Sequence, residues 1–443
     1  MLKFGTDGVR GVANVELTPE LVLALGRAAA RVFPSARCVV ARDTRRSGAL
    51  LQAALVAGLT AEGVDVELLG VAPTPAAAWI GARDGVLAAV ISASHNPFED
   101  NGVKLFAPGG RKLTDEQEAA LEGELQRLLD GSVQPIARSG ASVGTVLDDP
   151  AAVSRWEESV VASIGGRGLT GLRVIVDAAH GAAAYVAPRI LRALGADVEL
   201  LHGDPDGTNI NAASGSTFPA VLQEAVVRQG ADVGIALDGD ADRALAVDAA
   251  GRLIDGDQII AITAIDRKAR QALTGDAVVV TVMTNLGFRR GMAANGIEVV
   301  EVPVGDRHVL AAMAERGLVL GGEQSGHVIF GDLATTGDGL LTAVQLLDVV
   351  VHSGRPLAEL ADTAMTRLPQ VLRNVRVSRP GVEVAAEVAD EAAAAAAELG
   401  DEGRVLLRPS GTEPLVRVMV EAPTQERADA LADRLVSAVV ARP

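Results

Sequence analysis

The feature that most restricts what this chain can become is one pattern met three times: apolar strand, helix, short strand, helix, apolar strand. In the first occurrence Cys38–Asp43 (CVVARD) precedes a helical stretch and then Gly63–Gly70 (GVDVELLG). In the second, Arg173–Gly181 (RVIVDAAHG) leads to Gly195–Gly203 (GADVELLHG), and in the third Ala277–Asn285 (AVVVTVMTN) leads to Gly296–Gly305 (GIEVVEVPVG). Strands alternating with helices of ~10–15 residues imply parallel βαβ units whose sheets are covered on both faces. The reading is therefore α/β, with three similar mixed α/β/α sandwich domains expected over residues 1–150, 151–252 and 253–365. From about Leu368 the pattern stops. Gln370–Ser378, a long helix, Arg404–Ala422 and a last helix predict a smaller α+β domain with antiparallel strands over 366–443.

Followed one strand further, each repeat runs into a polar loop: Val86–Asn96 (VLAAVISASHN), Ala231–Arg243 (ADVGIALDGDADR) and Leu318–His327 (LVLGGEQSGH). Open α/β sheets bind ligands at the carboxyl ends of their strands, so the three loops occupy equivalent places and are expected to face one cleft. In the second loop Asp238, Asp240 and Asp242 alternate along a tight turn. Three carboxylates so placed repel one another, and a hard divalent cation is the usual reason such a cluster is tolerated. An EF-hand is excluded, because its sixth and twelfth positions fall on Arg243 and Ala249 in place of Gly and Glu. So few protein oxygens suit Mg²⁺ that shares a phosphate oxygen.

In the first loop Ser94 stands on a stiff Asn96-Pro97 turn at a strand end, from which its hydroxyl can carry a phosphoryl group. His95 and Lys104 follow as proton carriers or phosphate donors. Taken singly, a loop serine is usually a turn former and a loop lysine usually solvated; their joint presence in a loop equivalent to the acidic one favours chemistry. Gly321–His327 supplies Glu323, Gln324, Ser325 and His327 between glycines, a composition that reads hydroxyls or an amine on a sugar. Arg408–Pro414 (RPSGTEP) offers Arg408, Ser410, Thr412 and the backbone donors around Gly411, which suits a phosphate dianion. Arg10, Lys104, Arg243 and Arg307 each lie in a motif loop.

Those cations matter because the chain as a whole is acidic, with 40 Lys and Arg against 57 Asp and Glu and a net charge of -17. That balance disfavours nucleic acid and anionic membrane surfaces as partners and leaves a small anionic ligand as the expected one. No stretch approaches a membrane span and the start shows no apolar run after a basic segment, so a cytoplasmic protein is expected. Cys38 is the only cysteine, so no intrachain disulfide forms. Gly166, Gly168 and Gly171 match a dinucleotide fingerprint but precede a strand instead of following one, and no lysine follows a glycine as a P-loop requires. His180, His202, His308 and His352 are expected to be structural. The sequence leaves a homodimer open.

The four motifs SASHNP, DGDADR, GGEQSGH and RPSGTEP, in this order, resemble the α-D-phosphohexomutases along nearly the whole chain. The resemblance implies four domains in a heart shape around a central cleft. It also implies that Ser94 is the phosphoserine, and that Ser94, Asp238, Asp240 and Asp242 surround one Mg²⁺. Arg10, His95 and Lys104 would lie near the transferring group; one of them would be the general acid or base, and the sequence does not choose. Arg243 would orient the metal loop, Arg307, Glu323, Ser325 and His327 would hold the sugar, and Arg408, Ser410, Gly411, Thr412 and Arg417 would grip its phosphate. Within the family, Phe4–Gly11 (FGTDGVRG), Ser92–Phe106 and Gln324 resemble the branch that interconverts glucosamine 6-phosphate and glucosamine 1-phosphate for UDP-N-acetylglucosamine and cell-wall synthesis. Glucosamine 1,6-bisphosphate or glucose 1,6-bisphosphate would be the activator. A mutase of mannose or glucose phosphates and a catalytically inactive phosphosugar sensor are the alternatives. Ser214 departs from the cysteine many relatives carry.

Overall fold

Segments such as Leu87–Ile91 and Val233–Leu237 bury every residue, which marks them as the central strands of sheets covered on both faces. The computed structural model describes residues 8–134, 136–409 and 414–442. Its first sheet holds β1 (Val9–Val12), β2 (Arg37–Arg42), β3 (Asp65–Val71), β4 (Leu87–Ile91), β5 (Asp100–Ala107), β6 (Arg111–Lys112) and β7 (Val146–Asp148), in the order β1-β5-β4-β2-β3-β7 with β6 on β5. The second holds β8 (Arg173–Asp177), β9 (Asp197–Leu201), β10 (Val233–Leu237), β11 (Ala244–Asp248) and β12 (Leu253–Ile254), in the order β12-β11-β10-β8-β9. The third holds β13 (Ala277–Thr281), β14 (Glu298–Val302), β15 (Leu320–Gly322) and β16 (Val328–Phe330), ordered β14-β13-β15-β16.

The repeat is visible in the pairing. β4-β2-β3, β10-β8-β9 and β15-β13-β14 are parallel triplets of one connectivity. In each, the strand that follows the triplet returns antiparallel to its neighbour: β5 on β4, β11 on β10 and β16 on β15. The three polar loops are thus the same structural connection, made three times at the carboxyl end of a buried parallel strand.

Helices close the faces. Pro19–Val32 and Gly48–Ala61 touch backbone to backbone: a Cβ on Gly26 would stand 2.5 Å from the Leu55 carbonyl oxygen, and one on Gly58 2.2 Å from that of Leu23. Gly256–Ala269 is entered through a capping box of Asp255 and Gln258, and its first amide, on Gly256, donates to the Gln324 carbonyl at 3.0 Å. That bond ties the third polar loop to a helix end. Gly339–Ser353 buries Gly339 through Val350. Its cap, Asp338, also accepts from Trp156 Nε1 at 2.9 Å.

The fourth sheet is antiparallel and holds β17 (Gln370–Arg376), β18 (Arg404–Pro409) and β19 (Leu415–Glu421), ordered β17-β19-β18. The long helix expected before β18 is two, Gly381–Glu387 and Ala389–Leu399, broken at the buried Val388 (φ -103°, ψ 7°). By contacts the chain forms two compact units, one running to Val282 and including Ile297–Ala361, the other joining Met283–Gly296 to the residues from Asp362. The helix Leu286–Ala294, which the repeat predicts as the crossover from β13 to β14, packs with the fourth sheet's unit. Asn285 exchanges two bonds with the Leu368 backbone, each 3.0 Å. Leu286 N–H donates to Glu421 (3.0 Å) and Arg404 donates to the Thr284 carbonyl (2.8 Å). Among the described residues no helix is long and apolar enough to cross a membrane.

Candidate active site

Ser94 leaves β4 in the left-handed region, φ +52°, and is 1% exposed. A non-glycine residue stays there only when its surroundings hold it. Its Oγ donates to Asp238 Oδ2 at 2.6 Å and lies 3.3 Å from His95 Nδ1. The first and second polar loops therefore meet at Ser94. Gly239 makes the approach possible, because a Cβ there would stand 2.6 Å from the Ser94 carbonyl oxygen.

Asp238, Asp240 and Asp242 are all buried, and one carboxylate oxygen from each lies within 4.8 Å of the other two. Lys104, on β5, closes the group with Nζ 2.6 Å from Asp240 Oδ2 and 2.9 Å from Asp242 Oδ2. Thr74 adds a hydroxyl bond to Asp240 and a backbone bond, Thr74 N–H to the Asp240 carbonyl at 3.0 Å. Burial and then the charges of Asp242 and Asp240 push the Asp238 carboxyl up to about 8. Burial works the same way on Asp242, but Lys104, His327 and Arg243 outweigh it and hold that carboxyl well below the usual range. One Lys among three acids does not relieve the repulsion; a proton on Asp238 does, or a cation.

The site fits a divalent cation. Asp240 Oδ1 and Asp242 Oδ1 are buried and accept no hydrogen bond, and buried carboxylate oxygens without donors are what a hard cation coordinates. The expected set of Ser94, Asp238, Asp240 and Asp242 is thus gathered at one point.

The remaining expected residues divide. Burial, together with Arg243 and Arg10, pushes His95 down to about 4, so its imidazole is neutral at pH 7. Arg10 lies on β1 opposite Gly102 of β5, and Arg243 N–H donates to Asp238 Oδ1 at 3.2 Å. Glu323 is half-buried and accepts from the Gly305 amide at 3.0 Å, while Ser325 is exposed. His327, expected on the sugar, is 3% exposed and stands between Asp242 (3.7 Å) and Asp306 (3.3 Å). Its ring braces the acidic loop from the third sheet. Arg307, also expected on the sugar, is engaged by Asp115 and by Glu118 at 2.7 Å, and lines a cavity of ≈ 700 Å³ with Leu113, Met313 and Val319. Arg408 and Arg417 are cross-strand partners on β18 and β19, so both side chains leave one face of that sheet. Ser410, Gly411 and Thr412 lie outside the described residues, as do Phe4–Asp7 of the first motif.

Sequence reasoning missed Thr74, Arg45 and Asn211, which grip these loops. Arg45 pairs with Asp43 at 2.9 Å with both side chains fully buried, and Asn211 Nδ2 donates to the carbonyls of Ser94 (2.9 Å) and Asn96 (3.0 Å). Two positions of Asp43-Thr44-Arg45 carry a charge against the end of an apolar strand, the one local sign that something buried needed them. Of the histidines expected to be structural, His202 pairs with Asp177 (2.9 Å) and His352 with Asp266 (2.7 Å).

Models of the phosphoglucomutase/phosphomannomutase family match the chain in order: α/β/α domain I over residues 1–130, domain II over 157–251, domain III over 255–368 and the C-terminal domain over 372–438. A phosphoglucosamine mutase of Frankia casuarinae is 56% identical, with 98% of this chain and 97% of the relative covered. A phosphoglucomutase/phosphomannomutase family protein of Burkholderia thailandensis has a similar structure at a TM-score of 0.82 and 28% identity, over 98% of this chain and 97% of the other. The N-acetylphosphoglucosamine mutase of Aspergillus fumigatus, solved with GlcNAc-6P and magnesium, shares the fold at a TM-score of 0.69 and 19% identity, over 99% and 95%. With four family models in register and such relatives across nearly its whole length, the chain belongs to the α-D-phosphohexomutases, in their phosphoglucosamine mutase branch.

Proposed function

We propose that this chain interconverts glucosamine 6-phosphate and glucosamine 1-phosphate through a phosphorylated Ser94 and a bisphosphorylated sugar. One observation carries the reading: a buried serine hydroxyl 2.6 Å from a three-carboxylate cluster, in a chain 56% identical to a phosphoglucosamine mutase. Mg²⁺ held by Asp238, Asp240 and Asp242 would supply positive charge beside the phosphoryl group, where charge develops in the transition state.

The chain's own residues do the rest. The sugar's free hydroxyl attacks phosphorus, its bond to the phosphoryl group forms as the bond to Ser94 Oγ breaks, and the hydroxyl's proton must go elsewhere. Lys104 Nζ donates to the carboxylates of Asp240 and Asp242 and is engaged in holding the acidic loop. His95 is neutral and 3.3 Å from Ser94 Oγ, so it takes the proton and delivers it to the departing serine oxygen. The bisphosphorylated sugar then turns over and returns its other phosphate to Ser94 by the reverse steps. Glu323 and Ser325 bind sugar hydroxyls. Arg408 and Arg417, cross-strand partners on β18 and β19, grip the phosphate that is not transferring, together with Ser410, Gly411 and Thr412. Glucosamine 1,6-bisphosphate or glucose 1,6-bisphosphate loads Ser94, sugar phosphates are the partners, and the cytoplasm is the place of work.

The test is mass spectrometry of the Ser94 peptide after incubation with glucose 1,6-bisphosphate and Mg²⁺, together with kcat/KM for glucosamine, glucose and mannose phosphates. Phosphate on Ser94 and a preference for the amino sugar are expected. Ser94→Ala should lower turnover by about 10³-fold or more, as loss of a covalent carrier does. Parental turnover in that variant would reject the mechanism, and a preference for mannose phosphate would reassign the substrate.

A further inference from the structure

The Ser94 loop is gripped by one side chain that no motif of the family reading includes. Arg45 is wholly buried and all five of its N–H donors are used. Nε donates to Asp43 Oδ2 (2.9 Å). Nη1 donates to the carbonyls of Pro97 and of Asp100 (3.1 Å). Nη2 donates to those of Ser94 (3.0 Å) and Asn96 (2.8 Å). A guanidinium is the only side chain with five donors in a fixed plane, so it alone can gather four carbonyls and a carboxylate at one point. Asp43 completes the device. Its Oδ1 accepts the Arg45 amide (2.9 Å) and its Oδ2 the Ser92 hydroxyl (2.6 Å), while Ser92 Oγ accepts the Ser94 amide (3.0 Å). Both the amide and the carbonyl of Ser94 are therefore tied to one buried ion pair. The second sheet repeats the grip through Asn211, on two of the same carbonyls.

We infer that Arg45 is a positioning residue for phosphoryl transfer: it holds Ser94 in its left-handed conformation and so aims Oγ at Asp238, without touching the sugar. With four donors spent on the loop and the fifth on Asp43, Arg45 has none left for a phosphate. The inference rests on Ser94 being the phosphoryl carrier. It predicts a split in the kinetic constants, because a misdirected nucleophile slows transfer while the sugar's own contacts survive.

The experiment uses the full chain with Mg²⁺, glucose 1,6-bisphosphate as phosphoryl donor and glucosamine 6-phosphate as substrate. Ser94 phosphorylation is followed by intact-mass spectrometry, and kcat and KM are determined separately. Arg45→Lys keeps the charge and loses the planar fork; it should slow phosphorylation and kcat by about 10²-fold, the effect of a small misplacement, with KM within about twofold. Arg45→Ala should regain part of the rate when millimolar guanidinium is added, which a loss of packing alone does not explain. A parental phosphorylation rate in Arg45→Lys, a KM that rises as far as kcat falls, or no response to guanidinium overturns the inference. Should neither variant give the parental far-UV spectrum, Asn211→Ala decides, since it removes two of the same carbonyl contacts and leaves the ion pair intact. There kcat should fall about tenfold at constant KM, and a parental kcat is the contrary result. If the parent chain itself never takes phosphate on Ser94, the carrier assignment is what has failed.

Discussion

At Asp238 a proton and a cation compete for one carboxylate. Its folded pKa of about 8 lies above the ~3.9 of a free Asp, so below pH 8 the carboxyl holds a proton that a metal must expel. Mg²⁺ affinity should therefore rise with pH and level off above about 8, weakening by up to tenfold per unit on the acid side with about one proton released per ion bound. Titration calorimetry in buffers of different ionisation enthalpy reads both, and an affinity constant from pH 6 to 9 would contradict this account of the loop. Ser214 is a second case in which a single atom decides. Its hydroxyl is buried and makes no hydrogen bond, which leaves a desolvated polar group without return. Ser214→Ala should stabilise the fold by about 1 kcal/mol, read as a raised Tm. Ser94 and the three aspartates were legible in the sequence because like charges at alternate positions and a serine before Asn-Pro are locally improbable without a task. Thr74 was not: the residue it meets, Asp240, lies 166 positions later, and nothing around Thr74 but a helix start records that. His327 was legible as polar in a glycine-rich loop, but its direction, toward Asp242 and Asp306, depends on the third sheet's placement against the second.

Among the elements, the helices Pro19–Val32 and Gly48–Ala61 meet where glycines let one backbone rest on the other. Gly58→Ala places a methyl group 2.2 Å from the Leu23 carbonyl oxygen. With backbone on both sides the helices must separate, and a loss of about 2–3 kcal/mol is expected. Urea unfolding should show a lower midpoint at an unchanged slope; an unshifted midpoint would mean that the pair gives way without cost. The strands of the three repeats were readable from alternating apolar runs and intervening helical lengths, since a strand buried on both faces must be apolar throughout. Their order was not, because pairing is set by which edges meet, and that information is spread over the whole domain. The break at Val388 is another such gap: an alanine-rich stretch has the propensity to continue as one helix, and its packing decided otherwise.

Taken whole, the chain does not enter its two units once each. It passes between them after Val282, after Gly296 and after Ala361. The Leu286–Ala294 helix relies on partners some 80 to 135 positions later, with Asn285 on Leu368 and Leu286 on Glu421. A chain ending at residue 365 should therefore lose amide protection over 283–296 in hydrogen exchange, while protection of β8 and β10 persists. Retained protection over 283–296 would show that this helix is held by its own repeat. Ancestry and engineering inherit a rule from that thread. A tail borrowed from a cousin arrives without the small helix it was shaped around, so a working hybrid must transplant both pieces together, and a crossover at the visible end of the third repeat cuts through a partnership that the linear order conceals.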